Sequence, residues 1–550
     1  MAKFVLVSDP TLLYDYHNFP LLDYLPSAPR GILPGYVYGL LRGAMVPSIG
    51  GRATLAPYSL RKIEAALLKT HTPEDVAVAS PASVGDFIGE ETEVIGVTTM
   101  DPLGLGPLTM SFEALLGWRS PPYAQVEFEG LVRRIDHCRK TRGGSAKILL
   151  GGPGVWELAA CKQEMNALGI DFAFEGEADD IASEIFEYVA ASETPELDVR
   201  ALCDGVGDDR QGGERFISRG AFSRRSPEID EIPDIVGPST KSIVEAMRGC
   251  GIGCDFCEAT RRPLRYYPPE KVRREIEVNV RAGSSHVWLH SDEIFAYEHE
   301  KNFVPNAPAI EELFTMVMET KGIEHANPTH ARISIPAAYP ELIGRLSRIL
   351  RAGPSHQIGV QVGIETGSER LARRHMRNKT LPLRVGPDGS WSEIALQGTA
   401  SLNKNYWTPA FTVQVGQPEE TPEDSWDTVA LINRMGSFEV NGRPLDFSVT
   451  PMQNIIVGEV RLPDASPPRL DRSQLAVYYT CYRHLAKLAT RKGVHSGGGN
   501  TLSRLRTGAL ITLGSELMLH AISTLCRKDG LDLDKVSRYG LEGPLPRVAA

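Results

Sequence analysis

KSIVEAMRGCGIGCDFC, residues 241–257, runs from a short apolar stretch into a loop with three cysteines in eight positions: Cys250, Cys254 and Cys257. The 550-residue chain has only 8 cysteines, which is no disulfide framework. Thiols packed this tightly in a reducing compartment bind metal or do redox work. Thiolates are soft ligands that suit iron–sulfur clusters, zinc and copper(I) alike, so residue type does not choose the metal. The surroundings narrow the choice. Gly249, Gly251 and Gly253 let the backbone wrap closely round an inorganic core. A four-iron cube wants a ligand on each iron, and this loop supplies three, leaving one iron open. The competing reading is a closed zinc site completed by a distant histidine or cysteine. Cys138, Cys161, Cys203, Cys481 and Cys526 stand singly and read as small buried hydrophobes.

After KSIVEAMR come HVWLHSD, HARISI, IGVQVGIE, FTVQVG and DFSVTPM, strand candidates separated by helical patterns. Six strands in this alternation predict part of a TIM-like barrel, a (β/α)6 arrangement over residues 241–465. Upstream, KFVLVS, DVAVAS, TEVIGVTT, AKILLGG and IDFAFEGE also alternate with helical stretches, and predict a doubly wound parallel sheet over residues 1–202. VWELAACKQEMNAL reads as the crossover helix between the last two of these strands. Residues 203–240, rich in Gly, Asp, Arg and Pro, read as a linker. Residues 466–550, entered through the Pro-rich RLPDASPPRL, read as a C-terminal helical cap. The fold class is α/β throughout, apart from that cap.

A hydrophobic share of 42% and a charged share of 23% are those of an ordinary globular protein. The net charge of −10 and a pI near 5.8 argue against a general binder of nucleic-acid phosphates. MAKFVLVSDP lacks a signal pattern, and no run of about 18 apolar residues stands out, so a cytoplasmic protein without a membrane partner is expected. The basic stretch RRPLRYYPPEKVRRE at 261–275 reads as a solvated helix face.

The spacing of Cys250, Cys254 and Cys257, with Phe256 before the last cysteine, resembles the signature of the radical S-adenosylmethionine (SAM) superfamily. In that family the open iron of a [4Fe-4S] cluster is chelated by the amino and carboxylate groups of SAM. Three later segments keep the family's order. HVWLHSDEIFAY passes through Ser291, Asp292 and Glu293, where the family has a small-small-acid motif that grips the SAM ammonium; Asp292 is the better match and Glu293 the alternative. GVQVGIETGSERL resembles the fourth-strand element that faces the ribose, with Glu365, Thr366 and Ser368. FTVQVGQPEETPEDS resembles the fifth-strand element, whose Gly416 would pass near the adenine. Each segment alone is also what a strand followed by a helix cap would show.

An open parallel sheet binds ligands outside the carboxyl ends of its strands. The upstream sheet resembles the cobalamin-binding domain of the B12-dependent (class B) branch of the superfamily. Gly151 and Gly152 follow one strand, Gly176 and Glu177 the next, and Thr99 and Asp101 an earlier one. Asp-x-His-x-x-Gly is absent, and His17, His71 and His137 lie in other contexts. The resemblance therefore implies cobalamin without a histidine axial ligand.

Cofactors would carry the difficult chemistry while the protein fixes their geometry. The resemblance implies a radical C-methyltransferase that spends one SAM on a 5′-deoxyadenosyl radical and another on remethylating cobalamin. The whole-chain pattern, including DYHNFPLLDYLPSAPRGILPGY and LHSDEIFAYE, looks most like the archaeal enzymes that C-methylate a glutamine of methyl-coenzyme M reductase, a post-translational modification linked to methanogenesis. The expected partners are a protein or peptide substrate and an electron donor such as ferredoxin or flavodoxin, with no nucleic acid. An enzyme modifying RNA or a small molecule, as RNA methylthiotransferases do, and a zinc-stabilised binding protein without turnover are the alternatives. Trp288, Tyr297, Tyr478 and Tyr479 are candidates to line the site, and core packing explains each equally well.

Overall fold

Runs such as FVLVS and VIGVT, buried at every position, are what a parallel sheet covered on both faces demands. The computed structural model describes residues 1–18, 20–117, 120–142, 144–161, 163–193, 215–223, 225–455, 469–492 and 501–542. They divide into two units, the first drawn mainly from residues 1–109 and 118–242 and the second from residues 243–455 and the C-terminal helices.

The first unit holds a six-stranded sheet of β1 (Phe4–Ser8), β2 (Val76–Val78), β3 (Val94–Thr98), β4 (Lys147–Gly151), β5 (Phe172–Glu175) and β6 (Phe216–Ser218). Their order is β2-β1-β3-β4-β5-β6, all parallel. One face packs Val5, Val7, Ile95 and Val97 against Phe128, Leu131 and Val132 of helix Tyr123–Thr141. The other packs Phe4, Leu6 and Val94 against Leu60, Leu67, Ile185 and Phe186. The strand order reverses between β1 and β3, which opens a crevice at their carboxyl ends.

Two readings need correction here. The stretch 203–240 is more than a linker: its described part supplies β6, whose Phe216, Ile217 and Ser218 pair with Ala173, Phe174 and Glu175. A three-residue strand flanked by Gly and Arg carries too little periodicity to be seen in sequence. The crossover VWELAACKQEMNAL is two short helices, Val155–Ala160 and Gln163–Leu168. Cys203 and most of RLPDASPPRL lie outside the described residues.

In the second unit, β7 (Ile243–Glu245), β8 (His286–His290), β9 (His325–Pro328), β10 (Ile358–Glu365), β11 (Trp407–Val415) and β12 (Ser448–Gln453) run parallel. They pair as β7-β8-β9 and β10-β11-β12, and a single parallel bridge, His330 to Gln361, joins the two groups. Helices Pro269–Arg281, Ala307–Glu319, Pro340–Ile349, Trp391–Lys404 and Pro422–Ser437 fill the crossovers, completing the partial (β/α)6 barrel. The third strand is HANP, not HARISI: Ser334–Ala338 is helical, and its apolar residues pack as a helix turn. A short apolar run cannot tell the two by pattern alone.

Helices Arg472–Lys492, Thr501–Lys528 and Leu533–Arg538 form the C-terminal helical region. Residues Gly508–Lys528 are long and apolar enough to cross a membrane by length and composition alone. The sequence reading passed over them because Glu516 interrupts the run.

Candidate functional site

β7 ends at Glu245, and the cysteine loop begins within five residues of it. Gly249, Gly251 and Gly253 have φ of +74°, +65° and +82°, a region that side-chain-bearing residues rarely adopt. At Gly249 a Cβ would lie 2.6 Å from the Arg262 carbonyl oxygen, so the loop closes on itself only with glycine there. Cys250 and Cys254 are buried and Cys257 half-buried. Burial pushes the Cys250 thiol up to about 11 and the Cys254 thiol up to about 12, and raises Cys257 as well. A bound cation reverses that logic, since a coordinating thiol is deprotonated outright. The backbone N–H of Ile252 points at Cys250, and those of Ala259 and Thr260 point at Cys257. Such N–H groups stabilise a thiolate and tune an iron–sulfur cluster. Three soft donors on one glycine-rich loop are the donor chemistry such a cluster takes, although among the described residues no three His, Cys, Asp or Glu side chains already converge on a common metal position.

Asp292, two residues past β8, is half-buried, and its Oδ2 accepts the Gly249 N–H at 2.8 Å. Glu293 is differently placed. It is 2% exposed; its Oε1 accepts the Phe295 N–H at 2.9 Å and its Oε2 lies 2.9 Å from Arg332 Nε. Burial raises the Glu293 carboxyl, and Arg332 opposes the rise. Of the two acids only Asp292 keeps an oxygen that no described residue engages.

Glu365 closes β10 with φ +59°, where the register with β11 shifts. Its Oε1 accepts from Lys379 Nζ at 3.0 Å and its Oε2 from Thr412 Oγ1 at 3.3 Å. The Thr366 and Ser368 hydroxyls are taken up elsewhere. Thr366 Oγ1 accepts the Ser368 N–H at 3.0 Å, and Ser368 Oγ donates to Asp424 Oδ1 at 2.5 Å while capping helix Glu369–His375. Gly416 has φ +82°, and a Cβ there would come within 2.5 Å of Gln453 Nε2. Among the described residues, Ser291 Oγ, Gln417 Oε1 and Gln453 Oε1 are buried without a hydrogen-bond partner. All three sit at or just beyond the carboxyl ends of β8, β11 and β12. That is the face on which barrels of this kind bind ligands, and buried orphan atoms there fit a ligand that would satisfy them.

In the first unit the carboxyl ends of β1 and β3 hold a residue that the sequence reading missed. Asp9 is 0% exposed; its Oδ1 accepts from Thr11 N and Oγ1, both at 2.9 Å, and its Oδ2 from Thr99 Oγ1 at 3.0 Å. An acid directly after the first strand was the available signal. Burial pushes Asp9 up to about 6, against those hydrogen bonds. Asp101 accepts from Gly106 N at 2.9 Å and Thr109 Oγ1 at 2.5 Å. Beside it, burial and then Asp101 push the Glu157 carboxyl up to about 10.

The glycines separate into two kinds. A Cβ on Gly151 would meet nothing within 4 Å, whereas on Gly152 it would lie 2.3 Å from Thr98 Oγ1 and on Gly176 2.7 Å from Arg219 Cβ. Gly151 leaves room for a ligand; the other two are required by the chain's own packing. Arg219 also pairs with Asp180 at 2.7 Å, closing the loop that carries the half-buried Glu177. Ser8 Oγ at the end of β1 is buried without a partner among the described residues. Gly151 and Ser8 end strands that flank Thr98 of β3, and an open glycine and an orphan hydroxyl on the same carboxyl edge of the sheet fit a bound cofactor. Of the suggested aromatics, Tyr297 and Tyr478 are core residues at 1% and 0% exposure; Tyr297 OH donates to the Tyr267 carbonyl at 2.7 Å. Tyr479 is buried and Trp288 half-buried.

Asp9 gives a pH prediction. Its folded pKa lies above the unfolded value, so its contribution to stability is present below about pH 4 and is lost as pH rises towards 6, in all roughly 3 kcal/mol. Asp9→Asn is expected to flatten that segment of the stability profile, measured by denaturant unfolding between about pH 4 and 7; an unaltered slope would refute the assignment.

Residues 244–432, about a third of the chain, match the model of the Radical SAM superfamily. The chain is 26% identical over 295 residues to the tRNA-2-methylthio-N(6)-dimethylallyladenosine synthase of Sorangium cellulosum (strain So ce56), covering 48% of this chain and 55% of the relative. It is 24% identical over 229 residues to a probable threonylcarbamoyladenosine tRNA methylthiotransferase of Archaeoglobus fulgidus (strain ATCC 49558), covering 40% and 46%. The chain thus spans about half the length of the curated relatives it matches. Among solved structures it resembles the radical S-adenosylmethionine methyltransferase TsrM from Kitasatospora setae with cobalamin and a [4Fe-4S] cluster bound, with a TM-score of 0.44 and 13% identity over 82% of this chain and 75% of that one.

Proposed function

We propose that this protein methylates an unactivated sp3 carbon of a protein or peptide, a glutamine of methyl-coenzyme M reductase being the preferred substrate, with SAM, a [4Fe-4S] cluster and cobalamin as cofactors. The observation that carries this reading is the three-thiol loop at the carboxyl end of β7, facing Asp292, on a barrel whose strand ends carry unsatisfied polar atoms. When bound, the cofactors supply a hydrogen-abstracting radical and a transferable methyl group. The chain's own residues do the positioning. Cys250, Cys254 and Cys257 hold the cluster, and Asp292, steadied through Gly249, receives the SAM ammonium on its remaining oxygen. Glu365 turns towards the ribose, while Thr366 and Ser368 brace the turn that holds it. Gly416 admits the adenine beside Gln453. In the first unit Gly151, Ser8 and the Asp9–Thr99 pair line the cobalamin crevice, supported by Asp101, Gly152, Gly176 and Glu177. No histidine is expected on the cobalt: His17 bonds the Leu40 carbonyl at 2.9 Å and His71 lies against Thr70 at 2.9 Å.

The test is product counting under reducing, anaerobic conditions with a glutamine-containing peptide. Methylated peptide, 5′-deoxyadenosine and S-adenosylhomocysteine should appear in equal amounts, because a substrate radical held close to the methyl donor reacts before it escapes. Methylation without 5′-deoxyadenosine, or in cobalamin-free protein, sinks the mechanism. A second reading has one specific support: the curated relatives act on tRNA adenosines by name. Methylthio-adenosine formed in RNA, with the peptide left untouched, would favour it.

A further inference from the structure

Lys379 follows helix Glu369–His375 and is 8% exposed, although a lysine ammonium is costly to bury. Its Nζ donates to Glu365 Oε1 at 3.0 Å. A Cβ on Gly363 would lie 2.7 Å from that Nζ and 1.9 Å from Glu365 Oε1, so the bare strand at Gly363 is what lets the pair lie across the end of β10. The bulge between Gly363 and Glu365 and the left-handed backbone of Glu365 mark a place where geometry is held against local preference. The same segment packs on the cysteine loop: Asp255 N donates to the His375 carbonyl at 3.2 Å, and His375 bridges the Asp255 carboxylate at 2.7 Å and the Pro418 carbonyl at 2.9 Å. A Cβ on Gly253 would touch Asn378 Nδ2 at 3.7 Å. In agreement with that placement, the Lys379 charge draws both Cys254 and Cys257 downward against their burial.

An ammonium offers three N–H donors, and Glu365 takes one. We infer that Lys379 is the fixed countercharge of the iron–sulfur cluster, held by Glu365 over Gly363, and that it raises the cluster's reduction potential by stabilising the reduced state. The inference rests on the cysteine loop being a [4Fe-4S] site. With a cluster bound there, one-electron reduction by an external donor such as a ferredoxin or flavodoxin would add one negative charge and move no proton, and Lys379 would stay an ammonium. Net charge near the cluster is one of the terms that set its potential.

The experiment is a redox titration of the reconstituted full-length protein without SAM, followed by electron paramagnetic resonance, with iron content measured alongside. Lys379→Met is expected to lower the potential by an amount equal to at least a tenfold loss in the reduction equilibrium, about 59 mV for a one-electron couple. Lys379→Arg, which keeps the charge, should stay close to the parent. Glu365→Gln should move it the other way, since the ammonium is then unopposed. A merely structural ion pair does not produce shifts of opposite sign. An unchanged potential in Lys379→Met with four irons present overturns the proposal. Where that variant fails to hold four irons, Glu365→Gln decides alone, and a potential equal to or below the parent's overturns it. A parent protein that never takes up four irons speaks against the reading of the cysteine loop instead.

Discussion

Replacing Cys250, Cys254 and Cys257 together by alanine is expected to remove the iron, the broad brown absorption near 400 nm and all SAM cleavage, while cobalamin binding survives. The first two losses follow from ligand chemistry: no other cysteine lies in the loop, and those elsewhere among the described residues are single. The retained binding follows from placement, because the crevice between β1 and β3 is built by residues 4–109 and 118–242 without any part of the cysteine loop. The fold should tolerate the change. Cys250 and Cys254 are buried and Cys257 half-buried, and burial raises all three thiols, so each alanine removes one sulfur and no ion pair. Full iron content with SAM cleavage in the triple variant would rule out the cluster assignment, and a colourless, zinc-containing parent protein would revive the closed metal site.

The second large effect concerns Glu293 and Arg332, whose side chains are each 3% exposed. Arg332→Leu strands a buried carboxylate that still has only the Phe295 N–H, and it also gives up the Arg332 bonds to the Leu381 and Phe303 carbonyls at 3.1 and 3.3 Å. A loss of about 3–5 kcal/mol is expected at neutral pH. The sign of its pH dependence is fixed. Burial already holds the Glu293 carboxyl above its unfolded value; without arginine it rises further, so the deficit is largest above that raised pKa and shrinks on acidification. Glu293→Leu combined with Arg332→Leu should recover most of the stability, because the pair is replaced by apolar atoms of similar size. Urea unfolding of the three variants at two pH values checks this, and a double variant no better than Arg332→Leu alone would show that arginine's carbonyl bonds dominate.

Much of this arrangement was legible in the residues. Long strands with strong period, such as IGVQVGIE, declare themselves because alternate residues are buried. The three cysteines are legible because three thiols in eight positions stand out in a chain with only 8. What escaped notice depends on contacts distant in sequence. Lys379 looks like any surface lysine until Gly363 leaves it a place. Arg332 lies 39 positions from Glu293 and within an apolar run misread as a strand. Thr366 and Ser368 matched a pattern, yet their hydroxyls serve Thr428 and Asp424, and sequence cannot say which way a small polar side chain turns. Gly152 and Gly176 likewise matched a ligand loop while being demanded by Thr98 and Arg219.

The contribution of β6 by residues 216–218 has a practical consequence for anyone dissecting the chain. A fragment ended at residue 202, where periodicity stops, would leave β5 as a bare edge with a row of unpaired N–H and C=O groups, an invitation to stick to other chains. It would also strip three carbonyls from the helix Tyr58–Leu67 and its flank. Lys62 Nζ donates to Pro233 at 2.6 Å, Lys69 Nζ to Glu231 at 2.9 Å and Arg61 Nε to Pro238 at 3.0 Å. Lys62 is 1% exposed, so the cut removes one of the acceptors of a buried ammonium. The serviceable cut lies after Ser242, between the last contact of this strap and the first residue of β7. A fragment made that way keeps its sixth strand and its strap, and carries none of the cysteine loop.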